Sequence, residues 1–119
     1  MTYDELKNLQ ISNIIANTHE LQRLVKKCLS IVDTSTIKDE EIVMWIDAAS
    51  SDMIRQGIDV ASNLSDGLVQ GTIVMFVKAN FGMTDIKEKE LAQKTYTNLC
   101  GQLSLSSKYK LEVDNDVWS

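Results

Sequence analysis

Few residues in this sequence have the chemistry that catalysis requires. A nucleophile needs a base within hydrogen-bond reach and a third group that orients the base. The sequence has one histidine, His19, and two cysteines, Cys28 and Cys100. His19 has no cysteine or carboxylate cluster around it, so a solvated or capping role is predicted. Both cysteines fall at apolar positions of a helical pattern, and we expect them to be buried, reduced thiols.

The densest acidic run is Asp39-Glu40-Glu41. Carboxylates at this density could bind a metal ion or act as an acid and base pair. Their place at the start of a predicted helix already explains them, because the helix dipole favours negative charge there. The glycines at 57, 67, 71 and 82 do not form a phosphate-binding loop. We therefore predict no catalytic residue, no cofactor and no metal site.

Residues 111–119 combine acidic and apolar side chains. Val117 and Trp118 lie beyond any predicted helix and follow Glu112, Asp114 and Asp116. Such a composition suits an extended segment that becomes ordered against a partner. Val117 and Trp118 are therefore candidate partner-docking residues. The alternative is that Trp118 folds back on its own domain.

The elements that must position these residues are predicted to be helices. The chain has no proline and only five glycines, which suits helices joined by short connections. Starts are predicted by a capping box at Asn17 and Glu20, by Asp39 after the loop at 33–36, by a cap at Asp66, and by a capping box at Asp85 and Glu88. The matching ends are near Ser30, Gly57, Gly82 and Ser104. The segment from Thr2 to about Leu9 is predicted to be a docked turn of helix or a mobile arm.

Helical periodicity divides the side chains of these elements between core and solvent. Leu21, Leu24, Val25 and Cys28 share one stripe, and Arg23, Lys26 and Lys27 lie on the other side. The third helix of the chain's core, after Asp66, is strongly apolar and includes Leu68, and the last includes Leu91. Core filling is also expected for Met44, Met53, Met75 and Met83.

Length and composition predict one domain of the all-α class. The chain has 119 residues, of which 44% are hydrophobic and 24% charged, as in ordinary globular proteins. We expect a small helical bundle of about four helices, with an arm or short helix over 1–17, a helical core over 18–106 and a tail over 107–119. Both ends are expected to be extended or mobile.

Charge and hydropathy limit the classes of function. The net charge of −5 argues against a protein whose main task is to grip phosphate backbones. No stretch approaches the roughly 20 apolar residues of a membrane span, and the start at Met1-Thr2-Tyr3-Asp4-Glu5 is unlike a signal peptide. A cytosolic origin is expected.

Residues Glu20 to Tyr109 resemble the head-tail connector (adaptor) proteins of tailed bacteriophages. The segments that carry the resemblance lie in a fixed order, and that order gives it weight. They are Val25-Lys26-Lys27-Cys28-Leu29-Ser30-Ile31, Lys38-Asp39-Glu40-Glu41-Ile42-Val43-Met44-Trp45-Ile46-Asp47-Ala48-Ala49, Gly57-Ile58-Asp59, Val74-Met75-Phe76-Val77-Lys78-Ala79-Asn80-Phe81-Gly82, Tyr96-Thr97-Asn98-Leu99 and Leu103-Ser104-Leu105-Ser106.

This resemblance implies a structural subunit that assembles as a closed ring beneath the portal protein after DNA packaging. Such a ring extends the DNA channel and is the platform for a stopper or tail-completion protein. DNA would pass through without specific binding, and the protein would reside at the head-tail junction of the virion. The alternative is a small DNA-packaging or DNA-binding protein similar to a terminase small subunit, for which a basic recognition face would be needed.

Overall fold

The computed structural model describes residues 3–32 and 34–111. Five α-helices and two short 3₁₀ helices account for most of these residues. They are α1 (Tyr3–Ala16), α2 (His19–Cys28), α3 (Asp39–Arg55), α4 (Gly67–Asn80) and α5 (Ile86–Leu105), with 3₁₀ helices at Ala61–Asn63 and Ser107–Tyr109. Within the described ranges there is no β-strand, only one isolated bridge between Ile58 and Lys110. The predicted all-α bundle is confirmed.

Helices α3 and α4 form the centre of the bundle. Helix α3 packs against α1, α2 and α4, whereas α4 also packs against α5. Ile42 and Ile46 of α3 and Ile73 and Val77 of α4 have no exposed surface. Burying one such side chain contributes about 1.5–3 kcal/mol, so these two helices hold the others in place.

Local charge and capping set the starts of α3 and α4 where the sequence predicts them. Helix α3 begins at Asp39 with three carboxylates in its first turn. Asp66 caps α4, because its Oδ1 accepts hydrogen bonds from the backbone N–H groups of Leu68 (2.8 Å) and Val69 (3.4 Å). Such a cap satisfies donors that the first turn of a helix cannot pair internally.

The two predicted capping boxes do not form. Thr18, and not Asn17, occupies the N-cap of α2, and it makes no side-chain capping bond. The Asn17 side chain instead donates a 2.8 Å hydrogen bond to the carbonyl of Asn13 at the end of α1. Asp85 occupies the N-cap of α5 as predicted but makes no side-chain capping bond.

Helices α2 and α3 end in the same backbone motif. After α3, Gly57 N–H donates to the Ile54 carbonyl and Ile58 N–H to the Met53 carbonyl, the two bonds of a Schellman motif. Gly57 has a φ of 85°, which glycine adopts without strain. After α2, Ser30 occupies the equivalent position with a φ of 59°. The predicted ends near Gly57 and Ser30 are confirmed.

Helix α1 is longer than the predicted segment ending near Leu9. It has 14 residues, and its last turns bury Ser12, Ile15 and Ala16. Its contacts are mainly with α3. Packing against another helix supplies the stability that such a short helix lacks in isolation.

The chain after α5 packs back on the connection between α3 and α4. Tyr109 is buried, and its carbonyl accepts a 2.7 Å hydrogen bond from Asp59 N–H. Leu111 N–H donates to the Gly57 carbonyl, also at 2.7 Å. The packed structure thus extends past residue 106, at least to Leu111.

Candidate assembly surfaces

Of the residues considered for catalysis, His19 and Cys28 lie at the two ends of α2 and Cys100 lies in α5. His19 is the first residue of α2, and its side chain is exposed. Both cysteines are free thiols. Cys100 is buried as predicted, and burial raises the pKa of its thiol. Cys28 is exposed, so the prediction of burial was wrong for this residue.

The acidic run at the start of α3 ties separate elements together. Asp39 forms an ion pair with Lys26 of α2, with 2.7 Å between Nζ and Oδ1. Lys26 also donates to the Ser35 carbonyl at 2.9 Å. Lys26 was predicted to lie on the polar side of α2, and this prediction was wrong because Lys26 is buried. A buried ammonium needs such partners, and here they join α2, the loop after it and α3.

Glu41 connects α3 to the loop between α4 and α5. Its Oε2 accepts hydrogen bonds from Gly82 N–H (2.9 Å) and from Trp45 Nε1 (3.2 Å). Both bonds lower the pKa of the Glu41 carboxyl, and the bond from Gly82 has the larger effect. They do so because they favour the charged form of the carboxyl group. Among the described residues no group of three or more His, Cys, Asp or Glu side chains could hold a metal ion.

Four large apolar side chains are exposed where α2 and α4 end and α3 and α5 begin. Val32, Ile37, Met83 and Ile86 are 69%, 86%, 73% and 72% exposed. We call these four residues the loop-end surface. The bond between Gly82 N–H and Glu41 joins the loop after α4 to the first turn of α3. Exposed apolar residues clustered in this way mark interaction sites more often than scattered ones do.

The core-filling prediction is wrong for two methionines. Met83 belongs to the loop-end surface, and Met44 is 51% exposed on α3. Met53 is buried, and Met75 packs against the core. Leu68 and Leu91, both assigned to apolar stripes, are also exposed. Periodicity identifies the face of a helix correctly more often than it identifies the edges of that face.

A groove runs between α2 and α4. Near Arg23, Leu24, Lys27 and Gln70 it forms a cleft of about 420 Å³, and it continues past Gly67 and Gly71 to Cys28. A Cβ built at Gly67 or Gly71 would have no neighbouring atom within 4 Å. These two positions of α4 therefore leave open space beside α2, in the same groove that the exposed Cys28 lines.

Asp66 organises the opposite end of the bundle. While Oδ1 caps α4, Oδ2 accepts hydrogen bonds from the Tyr109 hydroxyl (2.9 Å) and from Lys108 Nζ (3.2 Å). Both bonds lower the pKa of Asp66, and the bond from Tyr109 has the larger effect. The carboxylate in turn raises the pKa of Lys108. One side chain thus fixes both the start of α4 and the chain after α5.

The predicted docking residues, Val117 and Trp118, lie outside the described residues. Among the described residues, two surface features could bind a partner: the loop-end surface and the groove between α2 and α4. Neither contains an arrangement of reactive groups. Within the described ranges no helix is both long enough and apolar enough to cross a bilayer.

A comparison of the sequence with models of known protein families gave one match. The model of the phage connector protein family matches residues 22–110, three quarters of the chain. The chain belongs to the phage connector protein family. The match begins within α2 and ends at the bridge between Ile58 and Lys110, so α2 to α5 and the packed segment after α5 are the family's part of this connector. No curated protein and no solved structure gave a significant match.

Family membership confirms the resemblance found in the sequence and makes this connector a phage structural protein. Sequence reasoning missed both surface features. The signal for the groove was the spacing of Gly67 and Gly71, which places two residues without side chains on one face of α4. The loop-end surface had no periodic signal, because its residues lie in or beside two loops.

Proposed function

We propose that this protein is a head-tail connector (adaptor) subunit that assembles as a closed ring beneath the portal after DNA packaging. The ring extends the DNA channel and is the platform on which a stopper or tail-completion protein binds. The observation that carries the proposal is the family match over residues 22–110. The chain acts as one domain, and its mechanism is assembly, with no bond made or broken.

A closed ring needs head-to-tail interfaces, in which each subunit presents two different faces. The loop-end surface supports one of them. Its four side chains are each more than two thirds exposed at one end of the bundle, and covering them would remove apolar area from water. Val117 and Trp118 are proposed as further docking residues toward a partner protein.

The charge of the chain suits a channel through which DNA passes. The net charge is −5, and a lumen lined by like charge lets DNA slide without sticking. The partners are then the portal protein, the stopper or tail-completion protein and other copies of the chain. The protein would be found in the host cytoplasm during assembly and at the head-tail junction of the virion afterwards.

Introducing negative charge on the loop-end surface tests this function in the phage that encodes the protein. A variant with Ile37→Asp and Met83→Asp should fold, because both side chains are exposed. We expect heads and tails that stay separate in electron micrographs, since the connector is the platform for tail attachment. The matched control is Leu91→Asp with Leu105→Asp, two residues of α5 that are 65% and 89% exposed.

Phage DNA that remains uncut in the infected cells would contradict the proposal, because cutting accompanies packaging and packaging precedes connector assembly. Retention of nonspecific duplex DNA by the purified protein at moderate salt would likewise favour a terminase small subunit. Normal virions from the loop-end variant would remove this surface from the interface.

A further inference from the structure

The groove between α2 and α4 is positively charged on a protein that is acidic as a whole. Helix α2 holds Arg23, Lys26 and Lys27 against one carboxylate, Glu20, and all four line the cleft. Lys26 is buried and paired with Asp39, and the side chains of Arg23 and Lys27 reach the surface. Lys27 therefore carries the charge test. Beside these charges lie the apolar side chains of Leu24 and Val74 and the open positions of Gly67 and Gly71. The groove therefore fits a ligand that is both acidic and apolar.

Residues 112–119 of the same chain have this composition. They include three carboxylates, Glu112, Asp114 and Asp116, and no basic residue. Val113, Val117 and Trp118 supply the apolar side chains. The segment thus complements the groove in charge and in hydropathy.

The position of Leu111 places this segment within reach of the groove. Leu111 is hydrogen-bonded to Gly57, and the nearby Lys108 and Tyr109 both contact Asp66. Gly67, which follows Asp66, already lines the groove. Eight extended residues span about 26 Å, whereas the whole of α4 is about 21 Å long.

We propose that residues 112–119 occupy the groove between α2 and α4 of their own chain in the free subunit. Their carboxylates face Arg23 and Lys27, and Trp118 covers the apolar floor near Leu24, Gly71 and Val74. A tether this short gives the segment an effective concentration in the millimolar range, which favours the same chain over a second copy. The inference concerns the isolated subunit and does not depend on the ring function.

Cys28 supplies a built-in reporter, because its exposed thiol lines the groove. With Ser119→Cys in the full chain, oxidised glutathione should drive a disulfide between positions 28 and 119 within one molecule. The control variant carries Ser119→Cys, Cys28→Ser and Ser104→Cys, which moves the exposed thiol to α5. We expect cross-linking at least tenfold faster in the reporter than in the control, at a rate independent of protein concentration.

Two further variants test charge and shape separately. Lys27→Glu should slow the cross-link severalfold, and adding Asp114→Lys with Asp116→Lys should restore it. Gly71→Leu fills the groove, keeps α4 helical and should slow the cross-link without a loss of helical circular dichroism. Each rate is divided by the rate at which Cys28 reacts with a small aromatic disulfide, since Lys27 also affects thiol reactivity.

Equal rates in reporter and control, or no effect of Gly71→Leu, would overturn the proposal. A disulfide-linked dimer whose rate rises with concentration would also overturn it and would assign the groove to a second copy. The proposed connector function is tested by heads and tails in micrographs, so failure of one proposal leaves the other standing.

Discussion

Ser30 occupies a backbone position that favours glycine. Its φ of 59° brings the Cβ of an L-residue close to the following carbonyl oxygen, at a cost of about 1–2 kcal/mol. Ser30→Gly should therefore raise the free energy of unfolding by about 1 kcal/mol, measured by urea denaturation. Gly57→Ser, at the equivalent position after α3, should lower it by a similar amount. A neutral result for both variants would mean that these ends relax without strain.

Asp66 makes stability depend on pH. Because its pKa is lowered from 3.8 in the folded state, its contribution is complete above the unfolded value and is lost as pH falls through the folded pKa. Asp66→Asn removes the charge while keeping a capping oxygen. The wild type should be more stable than this variant at pH 7, and the difference should shrink below about pH 4. A difference that is constant from pH 7 to pH 2 would contradict this assignment.

Single residues also show what the sequence could not predict about the candidate surfaces. Cys28 and Leu24 share a stripe with Leu21 and Val25, but only the latter two are buried. The difference comes from α4, where two glycines leave nothing to cover the stripe's edge. Lys26 is buried for the converse reason, since Asp39 of another helix and the Ser35 carbonyl satisfy it. Partners distant in sequence decide both cases.

At the scale of elements, the starts of α3, α4 and α5 could be predicted because their signals are local. Asp39, Asp66 and Asp85 stand at or just before the first residue of their helices, where negative charge and capping oxygens are favourable. Helix α1 had no such signal. Ile11, Ile14 and Ile15 are β-branched and lower its intrinsic helix propensity, so its extent depends on packing against α3.

Helix α1 offers two adjacent isoleucines for a test of that packing. Ile15 is 2% exposed and Ile14 is 71% exposed. Ile15→Ala should lower the free energy of unfolding by about 2–4 kcal/mol through lost burial and the cavity left behind. Ile14→Ala should change it by less than about 0.5 kcal/mol. Equal effects in chemical denaturation would show that α1 does not dock on α3 through Ile15.

At the scale of the whole molecule, the two ends of the bundle differ in the side chains that they expose. The loop-end surface exposes apolar side chains, whereas the opposite end is closed by hydrogen bonds among Asp66, Lys108 and Tyr109. An exposed apolar surface suits a permanent protein-protein interface, because such interfaces are more hydrophobic than transient ones. The closed end fixes the chain up to Leu111, and Asp66 of this end directly precedes Gly67 of the groove.

Two truncations distinguish the stabilising contacts of residues 107–111 from those of residues 112–119. Removal of residues 107–119 deletes the buried Tyr109 ring and its bond with Asp59, which should lower the free energy of unfolding by about 3–5 kcal/mol, the usual cost of a buried aromatic side chain. Removal of residues 112–119 keeps these contacts and the bond between Leu111 and Gly57, so helical circular dichroism and most of the stability should remain. Thermal denaturation of both truncations beside the full chain measures the difference. Equal losses would place the main stabilising contacts of this end beyond Leu111 and would exclude residues 107–111 as the segment that closes the bundle.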